Sequence, residues 1–330
     1  MNSTHRHATR AMNTDIVIDL MLTTDHDAQK LLHQAALFFL QVDYKLSRFR
    51  SDSELAQLNR KRQMIVSPML FEVVQYAIEA YKNTDGLFNP LLGQAINHAG
   101  YSCTFDDIGT GNMRHAPKSP QLKPLNTTLH TPDHIQLDVE THQITLLNHA
   151  LLDLGGIAKG WAVDRVFENL TQYGECCVNA GGDIRASTTY NFTSPNSGWQ
   201  IDLESPFEAG KSLIQFNLQQ QAVATSGISR RWWYFNGQMQ HHLIDPRTQQ
   251  PSKNELLSVT VIADNTVTAE IATKTAFVLG KNEGWAWLKT CHFPALMILR
   301  DGAWFTDIPQ TDDSQAPFHL QNCLTTQVIK

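Results

Sequence analysis

The stretch "LDLGGIAKGWAVDRV", residues 152–166, constrains the chain more than any other. Asp153, Gly155, Gly156, Lys159 and Asp164 fall within one turn and the helix that follows it. The glycine pair lets the backbone turn sharply after a strand and come close to a ligand. The helix then presents unpaired N–H groups and the positive end of its dipole, a ready site for phosphate. A lysine in that first turn is unfavourable for the helix alone, so Lys159 points to an anion nearby. A tight strand–helix turn with an exposed lysine explains the same residues equally well.

"NAGGDI" repeats the theme with Gly181, Gly182 and Asp183. Further on, "HHLIDPRT" groups His242, Asp245 and Thr248 around a proline, which is also ordinary turn chemistry. A Ser–His–Asp hydrolase lacks its GxSxG elbow here, and no GxGxxG opens a βαβ unit, which disfavours a dinucleotide oxidoreductase.

The rest of the chain sets the frame. Residues 15–22 read as the first strand, and residues 27–46 as a helix with Leu31, Leu32, Ala35, Ala36 and Phe39 on one face. Ser51 or Ser53 caps a short helix, and Ser67-Pro68 opens another that closes near Gly86. Strands are expected at 175–179, 199–203, 213–218 and 222–225, and helices over "TAEIATKTAFVLG" and "EGWAWLKT". "PALMILRDGAWFT" reads as a closing hairpin. Strands and helices mix without strict alternation, which favours α+β over a doubly wound sheet. Residues 102–133, proline-rich and without periodicity, read as a surface excursion from a single domain spanning 1–330.

Composition excludes several classes. The 330 residues carry a net charge of −6 and no long basic run, which gives no support for nucleic-acid binding. Mean hydropathy is −0.28, and no stretch reaches the roughly 18 apolar residues of a membrane helix. The start of the chain lacks an apolar signal region, and the five cysteines have neither an even count nor CxxC spacing. Reduced thiols in a cytoplasmic protein without a membrane anchor are the expectation. Cys176 and Cys177 read as buried.

Taken in order, the motifs resemble one family, the FAD:protein FMN transferases, also called the ApbE or thiamine biosynthesis lipoprotein family. "AMNT", "SRFRSDSELAQLN", "DGLFNPLLG", "LDLGGIAKGWAVD", "NAGGDI", "TSG" and "HLIDPRT" carry the likeness across nearly the whole chain. The resemblance implies an α+β, T-fold-related, two-lobed architecture with mixed, largely antiparallel sheets and packed helices. It also implies an enzyme that moves the FMN half of FAD onto a threonine of an acceptor flavoprotein and releases AMP, with Mg2+ at the pyrophosphate. Met12, Phe49, Leu87, Phe88 and Asn89 would line the flavin or adenine site. Asp153 and Lys159 would contact FAD, Gly182 would lie in the second glycine turn at the nucleotide, and Ile244 would pack against it. His242, Asp245 and Lys274 would be catalytic, and the Gly156 carbonyl, Glu270 and Thr273 would be the metal ligands.

This chain departs from the family at several points. Glu270 stands where the family has aspartate, and Lys274 where it has the metal-binding threonine. The two lie one helical turn apart on one face, a pair worth only about 0.2–0.5 kcal/mol on an open surface. Their apolar neighbours argue against that setting. An ammonium cannot ligate a hard cation, which takes oxygen donors. Three outcomes stay open: Lys274 replaces the metal as a fixed charge, the metal persists through Glu270, Thr273 and Gly156, or the chain is a flavin-binding protein without transfer. A FAD pyrophosphatase that passes FMN to water needs the same site. Asn89, Asn13 and Gln249 also replace residues usual in the family, an aspartate and two glycines, and the latter two changes are expected to be neutral in loops.

Overall fold

Two strands begin the fold, Thr4–Ala11 and Thr14–Leu22, paired from Thr4 opposite Met21 to Ala11 opposite Thr14. The computed structural model describes residues 4–22, 27–108, 130–188, 198–208 and 210–308. The first of these strands was not legible as one. It is polar, and its residues alternate between exposed and half-buried at the sheet edge, so it lacks the apolar alternation that marks Thr14–Leu22. The turn between them is Met12-Asn13, both in the left-handed region (φ 53° and 57°), as a two-residue hairpin turn requires. Asparagine tolerates that conformation, which explains how Asn13 takes a glycine's place.

The central sheet continues through Gly174–Ala180, Asp183–Ala186, Ala222–Gly227, Leu256–Ala263, Ala295–Leu299 and Trp304–Thr306, eight strands in chain order. Every neighbouring pair is antiparallel. The α+β expectation therefore holds. Helices Ala28–Leu46, Ala158–Leu170 and Thr266–Leu279 lie side by side across one face. Their buried residues, Leu32, Phe39, Val163, Val166 and Phe277 among them, make the core with the sheet. A ribbon of Trp199–Glu204 and Ser212–Leu218 covers part of the other face through Ile214, Phe216 and Leu218.

Cys176 and Cys177 point to opposite faces, as adjacent strand residues must. Desolvation pushes both thiols up to about 12, so neither ionises near neutrality. Cys103, Cys176, Cys177 and Cys291 are free, and Cys323 lies outside the described residues.

Local chemistry explains the helix ends. Ser53 Oγ accepts the N–H of Ala56, and Ser67 Oγ that of Leu70 with Pro68 at the first helical position. The helix expected from residue 268 begins two residues earlier at Thr266, because Asn265 caps it through the Thr268 N–H. Of residues 102–133, the central 109–129 lie outside the described part, and the flanks form a short helix, Phe105–Ile108, and a 3-10 turn, Pro132–His134. Among the described residues no helix is long and apolar enough to cross a membrane.

Candidate active site

A cavity of about 490 Å3 opens where the Met12-Asn13 turn, the end of helix Ala28–Leu46, residues 87–89, residues 153–159 and helix Thr266–Leu279 converge. Met12, Phe49, Leu87, Phe88, Asn89, Asp153, Gly156, Lys159, His242, Ile244 and Lys274 all line it. Segments as far apart in the chain as Arg10 and Val278 thus meet at one place. Gly182, Asp245, Glu270 and Thr273 do not line it.

The glycine turn works differently from the expectation. No strand precedes it: residues 151–154 run as an irregular segment, and neither Gly155 nor Gly156 has a positive φ. What matters is the missing side chain. A Cβ on Gly156 would lie 3.2 Å from Phe88 Cε2 and 3.3 Å from Lys274 Cε. Gly155 donates its N–H to Asp153 Oδ1 at 2.8 Å, which folds the turn onto its own carboxylate. The helix begins at Ala158 after Ile157, which supplies no side-chain cap.

Gly181 and Gly182, by contrast, form a hairpin turn between Gly174–Ala180 and Asp183–Ala186 (φ 63° and 96°). Gly182 faces open space there. Asp183, next along, is buried and contacts the ammonium of Lys159, which lines the cavity.

Behind the cavity lies a buried carboxylate. Glu270 is 2 % exposed, and its Oε2 accepts the Gly160 N–H at 2.9 Å. Its Oε1 accepts from Lys274 Nζ at 3.0 Å, and Lys159 Nζ stands 3.8 Å away. Burial works against ionisation, but the two ammoniums outweigh it and hold the Glu270 carboxyl below its ordinary value. The Glu270–Lys274 pair is therefore buried, not a surface ornament. Gly160 permits this packing, since a Cβ there would sit 2.8 Å from Glu270 Oε2.

Burial lowers the Lys159 pKa to about 8, with Lys274 and Arg231 adding to the shift and Glu270 opposing it. His242 is held well below its ordinary value by desolvation and by Arg231, His241 and Lys274, so its imidazole is neutral at pH 7. Its Nδ1 lies 3.4 Å from the Arg231 carbonyl. Asp245 faces away from the cavity: its carboxylate accepts the Arg247 N–H at 2.9 Å and the Arg247 guanidinium at 2.8 Å. That is turn chemistry. Gln249, closing the turn, has φ 56°, so the residue in the glycine's place is strained rather than neutral.

The residues at the family's metal position do not fit a divalent cation. Both Glu270 oxygens are taken, and Thr273 Oγ1 is fully buried, 2.7 Å from Ser226 Oγ and donating to the Glu270 carbonyl at 2.8 Å. A dication beside the Lys274 ammonium at about 4 Å would be repelled by roughly 8 kcal/mol at an effective dielectric of about 20. Among the described residues no three His, Cys, Asp or Glu side chains converge as ligands.

Two lining residues escaped the sequence reading. Arg48 Nε pairs with Asp153 Oδ2 at 2.9 Å, and the guanidinium lies 4.1 Å from the Phe49 ring centre and 4.7 Å from that of Tyr101. Arg231 joins the wall beside His242, and Asp183, named with the second glycine turn, is the residue that pairs with Lys159. The signal for Arg48 was its place in "SRFR"; nothing local marks Arg231.

With this geometry in place, known proteins are informative. Residues 12–297 match the model of the ApbE family. A FAD:protein FMN transferase of Klebsiella pneumoniae is 30% identical, over 73% of this chain and 72% of its own. One of Haemophilus influenzae is 29% identical over 83% and 79%. The ApbE protein of Thermotoga maritima superposes with TM-score 0.77 at 22% identity, over 92% of this chain and 97% of its own. The flavin transferase ApbE of Vibrio cholerae gives 0.72 at 25%, over 93% and 97%. This chain is a member of the ApbE family.

Proposed function

We propose that this protein is a FAD:protein FMN transferase, which forms a phosphoester between the FMN of FAD and a threonine hydroxyl of an acceptor flavoprotein. One observation carries the reading: a cavity of ligand size lined together by Gly156, Lys159, Lys274 and His242. Met12, Leu87 and Phe88 offer apolar walls for a ring, and Phe49 and Tyr101, bracketed by Arg48, offer aromatic faces. Asp153 holds Arg48 in place. The Asn89 side chain braces its loop: Oδ1 accepts the Leu91 N–H and Nδ2 donates to the His130 carbonyl.

In this reading the threonine oxygen attacks the FMN phosphorus, and the bond to the bridging oxygen breaks. AMP leaves with that electron pair. The hydroxyl proton passes to the unprotonated His242 as the new oxygen–phosphorus bond forms. Lys159 and Lys274 hold the diphosphate and offset the charge that gathers on the leaving group. Asp183 and Glu270 fix the two ammoniums.

The test is incubation with FAD and candidate acceptor proteins, followed by mass spectrometry and AMP assay. An FMN adduct on an acceptor threonine, with one AMP released per adduct, supports the reading. AMP and free FMN with no adduct would make the protein a pyrophosphatase, and tight FAD binding without AMP release would make it a binding protein.

A further inference from the structure

At the position where the family's metal is expected, this chain has built an ion pair instead. Lys274 Nζ gives one of its N–H bonds to Glu270 Oε1 at 3.0 Å, which leaves two for a ligand. Its stem runs past the glycine turn, with Cε and Cδ 3.3 and 3.4 Å from where a Gly156 Cβ would be. Any side chain at residue 156 would separate the ammonium from the turn. Glu270 in turn is clamped by the Gly160 N–H, so the ammonium is held from behind by a carboxylate that cannot rotate away without losing both partners.

We infer that Lys274, anchored by Glu270, is a built-in cation for the nucleotide diphosphate, and that FAD binding and cleavage here need no divalent metal. The inference rests on the reading of the cavity as an FAD site. Lys159, Lys274 and Arg231 outnumber Asp183 and Glu270 by one charge, which leaves a positive site for the two negative charges of the diphosphate. During transfer Lys274 donates hydrogen bonds to the diphosphate oxygens. The bond changes are those of the proposed reaction: the threonine oxygen bonds to phosphorus, the bridging P–O bond breaks, and the hydroxyl proton goes to His242. Magnesium works in such chemistry by attracting the same oxygens, and an ammonium supplies that attraction with directional N–H bonds.

The experiment titrates FAD, and separately riboflavin, into chelator-treated protein and into protein with excess magnesium, following flavin fluorescence. AMP release with acceptor is measured in both conditions. The expected result is the same FAD affinity and AMP release with chelator and with magnesium. Lys274→Ala should bind FAD about tenfold or more weakly, the loss of a charge-assisted hydrogen bond, with riboflavin binding unchanged. Glu270→Asp combined with Lys274→Thr should recover FAD binding only when magnesium is present. FAD binding to the unaltered protein that tightens about tenfold with magnesium, or AMP release abolished by chelator, would overturn this inference and leave the transferase reading standing. Failure of FAD to bind under either condition would overturn both. The comparison on the unaltered protein decides the matter even if a variant does not fold.

Discussion

Replacing Glu270 with glutamine removes one negative charge and little volume. The amide oxygen still accepts the Gly160 N–H, so the packing of helix Ala158–Leu170 on helix Thr266–Leu279 is kept. What is lost is the counter-charge to Lys274 at 3.0 Å and to Lys159 at 3.8 Å. Removing one partner of a fully buried pair costs about 3–5 kcal/mol. Here the lysine side chains keep 18% and 17% exposure, and Lys159 retains Asp183. The expected loss is therefore about 2–3 kcal/mol at pH 7, read by urea denaturation. The sign of its pH dependence follows from the depressed Glu270 pKa. The carboxylate contributes stability above its unfolded value of 4.5, and that contribution disappears as pH falls through the lower folded value. The gap between the two proteins should thus narrow in acid. A gap below about 0.5 kcal/mol at pH 7, or one that stays constant into acid, would refute the reasoning.

Other consequences are equally direct. With Lys159 near 8 in the free protein, the diphosphate binds best to its protonated form, so FAD affinity should fall by up to about tenfold per pH unit above pH 8. Lys159→Arg should flatten that profile in a binding titration. Gly156→Val should place methyl groups against Phe88 and Lys274, costing about 1–3 kcal/mol of stability and, beyond that, FAD binding by more than about tenfold. Gln249→Gly relieves a left-handed residue that costs about 1–2 kcal/mol, set against about 0.5–1 kcal/mol of added chain freedom. A net gain of about 0.5–1 kcal/mol in thermal or urea unfolding is expected, with FAD affinity unaltered.

Much of this site was legible because its elements are local. Serine caps at Ser53 and Ser67, the helical spacing of Glu270 and Lys274, and the glycine pair before Lys159 are each decided within a few residues. The motif order brought eleven of the fifteen named residues to one cavity. The partners of those residues were not legible, because sheet and helix packing decides them. Lys159 meets Asp183 only because the strand beginning at Asp183 lies beside the helix Ala158–Leu170. Arg231 reaches the wall from the link after strand Ala222–Gly227, far along the chain from the glycine turn. Gly182 misled for a related reason: two glycines serve a hairpin turn as well as a phosphate turn, and only strand pairing tells them apart. The edge strand Thr4–Ala11 carries no apolar alternation to announce it.

A crystal structure of the protein with FAD bound tests the central claim most directly. The account predicts the diphosphate seated at Gly156, within hydrogen-bonding distance of Lys159 and Lys274, and the FMN phosphorus open to a nucleophile on the His242 side. A diphosphate held elsewhere, with those two ammoniums still directed only at Asp183 and Glu270, would contradict it.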